Sequence, residues 1–152
     1  MKKILCTLLT VAIVISFAGC VMSKYKDTNG ESDFSLQTIT DADILQGTGT
    51  SKLMYSKFTI NNKTEFKAKT MSGVETVWER RLSDETLELT VSSTFTKGNA
   101  RLVLLVDDEI VHDFSLNEQD QQFNLEHVTG KVRLKLACES AGFSVTYEWK
   151  RF

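Results

Sequence analysis

The chain has no proline in 152 residues, three cysteines, two histidines and no apolar run of bilayer-spanning length. Each shortage excludes something. Without proline, the edges of any β-structure must be protected by charge rather than by a missing N–H. Cysteines at 6, 20 and 138 form no CxxC pair and share no ligand spacing with a histidine, which leaves no zinc motif and no disulfide framework. No metal and no cofactor is expected. A helix that crosses a bilayer needs about 20 apolar residues, and no stretch supplies them. Excess positive charge is missing too, since 18 Lys and Arg face 20 Asp and Glu for a net of −2. The nearest basic cluster, Lys131, Arg133 and Lys135, alternates with apolar residues and reads as the solvated face of a strand. A nucleic-acid partner is excluded on that balance.

The first segment present is an export signal. Met1-Lys2-Lys3 precedes the apolar run "ILCTLLTVAIVISF" at residues 4–17, and the small residues Ala18 and Gly19 follow. Removing residues 1–19 deletes two lysines and no acid, leaving 16 basic and 20 acidic residues, or −4. The stretch "FAGC" resembles the lipobox of bacterial membrane lipoproteins, with Phe17 where leucine is usual. That resemblance implies cleavage before Cys20, a diacylglyceryl group on its thiol, and often a further acyl chain (commonly palmitate) on the new N-terminus. Two or more chains make a stable anchor where one is marginal. It places the protein at the cell membrane, facing the extracytoplasmic side. Val21 stands where an aspartate commonly retains such proteins in an inner membrane. Cys138 is then left without a partner; in "VRLKLACES" it is in phase with Val132, Leu134 and Leu136 and reads as a small core hydrophobe.

Residues 20–33 are polar and aperiodic and read as a flexible tether. Residues 34–152 carry the alternation of β-structure. "LMYSKFTI" meets "TEFKAKTM" across Asn61-Asn62-Lys63 as a hairpin, and Ser72-Gly73 turns the chain into "VETVWERRL" as a second one. "ETLELTVSS" puts Leu87, Leu89 and Val91 on one face. "RLVLLVD" is apolar on both faces, as a strand covered on both sides is, and Asp107-Asp108 turns it into "EIVHDF". "QFNLEHV" points Phe123 and Leu125 inward, "KVRLKLACE" follows Gly130, and "GFSVTYEW" aligns Phe143, Val145, Tyr147 and Trp149. Only "TDADILQ" favours a helical turn, capped by Thr40 or Asp41. The fold class is all-β: an antiparallel β-sandwich, jelly-roll-like, of about eight or nine strands. "ARLVLLVDDEIVHDF" and "TGKVRLKLACESAGFSVTYEW" resemble in outline the small sandwich modules of secreted bacterial enzymes, of the pre-peptidase C-terminal type.

Candidate chemistry is sparse. His112 beside Asp113 and His127 beside Glu126 form no dyad, because strand neighbours point to opposite faces. No nucleophile elbow accompanies them, and no catalytic residue is assigned. Asp41, Asp43, Asp107, Asp108 and Asp113 are explained by turns and caps, and no EF-hand loop is present. Aromatics remain the strongest lead for a ligand: Trp78, Trp149 and Tyr55. Trp78 is in phase with Val74 and Leu82, which suits a core position, whereas Tyr55 reads as exposed. The sequence thus predicts a lipid-anchored cell-envelope protein, not an enzyme, that binds an envelope polysaccharide or protein. A carbohydrate-binding module is the second reading, and an envelope hydrolase the third.

Overall fold

The computed structural model describes residues 39–152, which belong to one compact unit, Ser35–Phe152. The expected export signal at 1–19, Cys20 and the expected tether at 20–33 lie outside the described residues. Among the described residues the order is α1 (Asp41–Gln46), β1 (Gly49–Leu53), β2 (Ser56–Ile60), β3 (Lys63–Val106), β4 (Glu109–Phe114) and β5 (Gln121–Arg151). All strand pairings are antiparallel and all belong to one sheet.

The sequence separates β3 and β5 into several strands, but each is continuous, and the sheet has five strands. Laid flat, the 44 residues of β3 would extend about 145 Å at 3.3 Å per residue. The register forbids this. Tyr147 of β5 pairs with Thr64 on one side and Val91 on the other, and Val145 pairs with both Phe66 and Ser93. The sheet therefore curls until the second arm of β3 meets the far edge of β5. Bends accomplish the curling. Register shifts at 68–73 and 95–99 sit opposite residues 138–142, where Gly73, Gly98 and Ser140 have positive φ. A second line of bends joins 82–87 to 125–130, marked by positive φ at Asp84, His127 and Gly130. Bulges of this kind increase local twist and let a strand turn a corner without breaking.

This corrects the hairpin expected at Ser72-Gly73. Residues on both sides of Gly73 pair along β5, from Ala68↔Phe143 through Val74↔Ala137. Gly73 is needed for close approach: a Cβ there would lie 2.2 Å from the Gly49 carbonyl oxygen of β1. The hairpin across Asn61-Asn62 does form, with Ile60 paired to Lys63, as does the turn from β3 into β4.

The two faces of the sheet carry different cores. On the inner face, Phe66, Met71, Leu87, Leu89, Leu102, Leu134, Leu136, Phe143 and Val145 form the main cluster, with Cys138 among them. Phe66 meets Phe143 edge-on at 5.5 Å. On the outer face, Val103, Leu105 and Ala137 pack under Ile39 and Ile44 of the α1 region. All four residues 102–105 are buried, as the doubly apolar pattern of "LVLL" requires.

One polar device caps α1, and two sheet side chains, Arg101 and Lys135, tie it down. Thr40 and Asp43 form a capping box at its start. The Arg101 guanidinium donates to the Ile39 carbonyl and pairs with Asp41 and Asp113. Lys135 Nζ donates to the Ile44 carbonyl at 2.8 Å and is buried. Here the reading of Lys131, Arg133 and Lys135 as one solvated face is corrected. Lys135 lies beneath α1, where burial pulls its pKa down, while half-buried Arg133 pairs with Asp108. A terminal helix carbonyl that would otherwise be buried without a donor explains why a lysine occupies that place.

Candidate functional site

The aromatics singled out from sequence fall in two neighbouring groups on the inner face. A bulge in β3 creates both. Thr76 pairs with Lys135 and Trp78 with Leu134, so Val77 is the extra residue. The bulge reverses the alternation, and this overturns the phase assumed for Trp78. Val74 faces outward toward α1, whereas Val77 and Trp78 both pack against the main core. The unpaired Val77 carbonyl accepts a bond from Tyr147 Oη at 3.0 Å and another from Lys57 Nζ at 2.7 Å.

Beyond the bulge, Trp78 and Trp149 lie with ring centroids 5.9 Å apart and planes tilted by 39°. Arg80, two residues further on the same face, places its guanidinium carbon 4.3 Å from the centre of the Trp149 ring. Both tryptophans are half-buried. The pair forms a tilted wedge rather than a flat platform, and a cation already occupies one approach to Trp149.

Before the bulge stands Tyr55, which is half-buried rather than exposed as expected. It follows the kink at Met54 (φ 50°), which rotates the chain between β1 and β2. Its hydroxyl reaches Glu75 at 3.4 Å, Lys52 Nζ lies 4.2 Å above its ring, and Lys52 pairs with Glu75 at 2.7 Å. Burial first, and Glu75 second, push the Tyr55 phenol up to about 12. The same two causes push the Cys138 thiol up to about 12, and burial raises Tyr147. All three stay protonated near neutral pH. Tyr55 and Tyr147 act as hydrogen-bond donors, to Glu75 and to the Val77 carbonyl, and Cys138 packs as a small hydrophobe.

The remaining candidates are dispersed. His112 is stacked on Phe123 at 4.2 Å and meets Phe114 edge-on. His127 is exposed and pairs with Asp84 at 3.1 Å. Asp41 and Asp113 serve Arg101, Asp108 serves Arg133, and Asp107 accepts from the Lys131 backbone at 2.9 Å. Sequence reasoning missed Arg80, Lys57, Lys52 and Glu75. Alternation puts Arg80 on the face of Trp78, and that signal was readable; the convergence on Val77 depends on a bulge that no local pattern marks. No protein-family model matches this chain, and no curated protein matches it either. The fold and site define it only as an antiparallel all-β domain with an aromatic and cationic cluster on its inner face.

Proposed function

We propose that the protein is a lipid-anchored binding domain of a bacterial cell envelope, held at the extracytoplasmic membrane face through Cys20 and without enzymatic activity. The observation that carries this is "ISFAGC", which closes a 14-residue apolar run preceded by two lysines. The anchored part reads as a β-sandwich of eight or nine strand segments. Two lines of bends cut the long strands β3 and β5 into shorter pieces whose inner faces share one core. The binding role is supported by the composition of the inner cluster: Trp78, Trp149, Tyr55 and Tyr147, with the cations Arg80, Lys52 and Lys57. The non-enzymatic reading is supported by the partners of the histidines: His112 packs against Phe114 and Phe123, and exposed His127 pairs with Asp84. Substituting Cys20→Ala should release the protein from membranes or leave it unprocessed. A variant that still fractionates with membranes at its mature mass would sink the anchor.

A carbohydrate-binding module is the second reading, favoured by Trp78, Trp149 and Arg80 in contact. Rings stack on sugar faces, and a guanidinium donates to hydroxyls. Under this reading Trp78 and Trp149, with Tyr55 nearby, contact the sugar. Tryptophan fluorescence should then shift when soluble envelope polysaccharide is added, and acrylamide quenching should fall. Unchanged emission at saturating polysaccharide would leave a protein partner as the ligand class.

A further inference from the structure

The aromatic cluster lies where the edge of the sheet is open. β1 pairs with β3 as far as Val74, and the start of β3 covers β5 as far as Glu148, opposite Lys63. Beyond those points, residues 75–82 of β3 and 149–151 of β5 have no paired strand on that side among the described residues. The inner face is therefore reachable from the side. Trp78, Arg80 and Trp149 are half-buried there, although Leu82, Leu89 and Leu134 beside them are at most 2% exposed.

Register also gathers charge at this opening. Lys52 lies opposite Met71, Lys57 opposite Phe66, Glu75 opposite Leu136, Arg80 opposite Val132, Glu85 opposite Val128 and Arg151 opposite Leu87. Each of those partners belongs to the main core, and opposed residues share a face, so all six charges are on the inner face. Both acids are taken, Glu75 by Lys52 at 2.7 Å and Glu85 by Arg151 at 3.2 Å. Four cations against two acids leave +2, carried by Lys57 and Arg80, which pair with no acid among the described residues. Arg80 stands over the face of the Trp149 ring, a contact that uses none of its N–H donors, and it donates no hydrogen bond among the described residues. Exposed Lys57 spends one donor on the Val77 carbonyl and keeps the others.

A sugar chain bearing acidic groups matches the rings and the cations together. Apolar C–H faces of a pyranose pack on indoles, and an anion draws charge-assisted hydrogen bonds from guanidinium and ammonium. An extended peptide fits this edge poorly: the bulge at Val77 breaks the ladder, and the Val77 carbonyl is already held by Lys57 and Tyr147. We infer that the ligand of the aromatic cluster is an anionic polysaccharide, with Trp78 and Trp149 against its sugar rings and Arg80 and Lys57 at its carboxylate or phosphate groups. The inference rests on the carbohydrate reading of this cluster and narrows it to acidic glycans.

The test uses residues 35–152, a compact unit that carries both hydrophobic clusters and lacks Cys20. Its tryptophan emission is titrated with two matched pairs, polygalacturonate against its methyl ester and phosphomannan against neutral mannan. At least one acidic polymer should bind about tenfold tighter than its neutral counterpart, and that binding should weaken as salt rises. The better acidic polymer tells carboxylate from phosphate. R80Q should bring the acidic polymer down to the affinity of the neutral one and leave the neutral one nearly unchanged. K57Q, at an exposed site, should lower the same ratio about threefold and melt close to the parent. Equal binding of acidic and neutral polymers overturns the inference and leaves the carbohydrate reading standing. Undiminished selectivity in R80Q, or in K57Q where R80Q does not fold, also overturns it. So does polyglutamate that binds as tightly as the better acidic glycan, since an acidic protein segment would then serve as well. Binding of none of these polymers overturns it too, and the broader reading is then decided by the emission shift with envelope polysaccharide.

Discussion

Cys138 illustrates how far a single residue's character is set by its surroundings. It is 4% exposed on the inner face of β5, between Ala137 beneath α1 and Glu139 at the bend. Burial disfavours the thiolate, and Glu75 adds a like-charge penalty, so the thiol stays protonated far above neutral pH. In residues 35–152, where it is the sole cysteine, a thiol reagent at pH about 8 should leave the native protein unlabelled. The same reagent in concentrated guanidinium chloride should label it completely. Rapid labelling without denaturant would mean that β5 opens locally. This residue's place was legible from phase alone, because Val132, Leu134, Leu136 and Cys138 follow a two-residue repeat uninterrupted by a bulge. For Trp78 the core packing and the phase with Leu82 were legible, but the phase with Val74 was not: one extra residue at Val77 puts the two on opposite faces. Lys135 was not legible either, because a helix 90 residues earlier in the chain covers it.

At the level of elements, the sequence marks correctly where β2 turns into β3 and β3 into β4, since Asn61 and Asp107 adopt the left-handed turn conformation that those residues tolerate. It marks α1 through Thr40 and Asp43. It misreads Gly73, because a glycine that permits a tight turn and one that permits two backbones to touch look alike in sequence. The distinction is testable. In Gly73→Ala the φ of 102° is strained, and the new Cβ falls 2.2 Å from the Gly49 oxygen. We expect a loss of stability of at least about 2 kcal/mol, from strain and from partial detachment of β1. Amide exchange should rise in residues 49–53 and 70–74 more than elsewhere. A change below about 0.5 kcal/mol, typical of a neutral surface site, would show that β1 is not seated as described.

For the whole molecule, connectivity dominates. Nearly all of the sheet is made by β3 with β5, in pairs as distant along the chain as Lys63 and Glu148. Such non-local pairing imposes a large loop-closure cost before contacts repay it. Refolding of residues 35–152 in stopped-flow should therefore fall in the range of milliseconds to seconds, slower than helical domains of the same length. A microsecond phase carrying most of the fluorescence change would contradict this. The all-β class and the antiparallel pairing were readable from alternation, but the doubling of β3 around β5 was not. That feature rests on six bend residues, Gly73, Gly98, Gly130, Asp84, His127 and Ser140, of which only the glycines announce themselves.

The position of β5 also bears on biogenesis. It is the last strand to leave the ribosome, yet it lies between the two arms of β3 and hydrogen-bonds to both. Until residues 130–151 exist, the first arm of β3 has only β1 and β2 for strand partners. The sheet can therefore be completed only when this middle strand arrives.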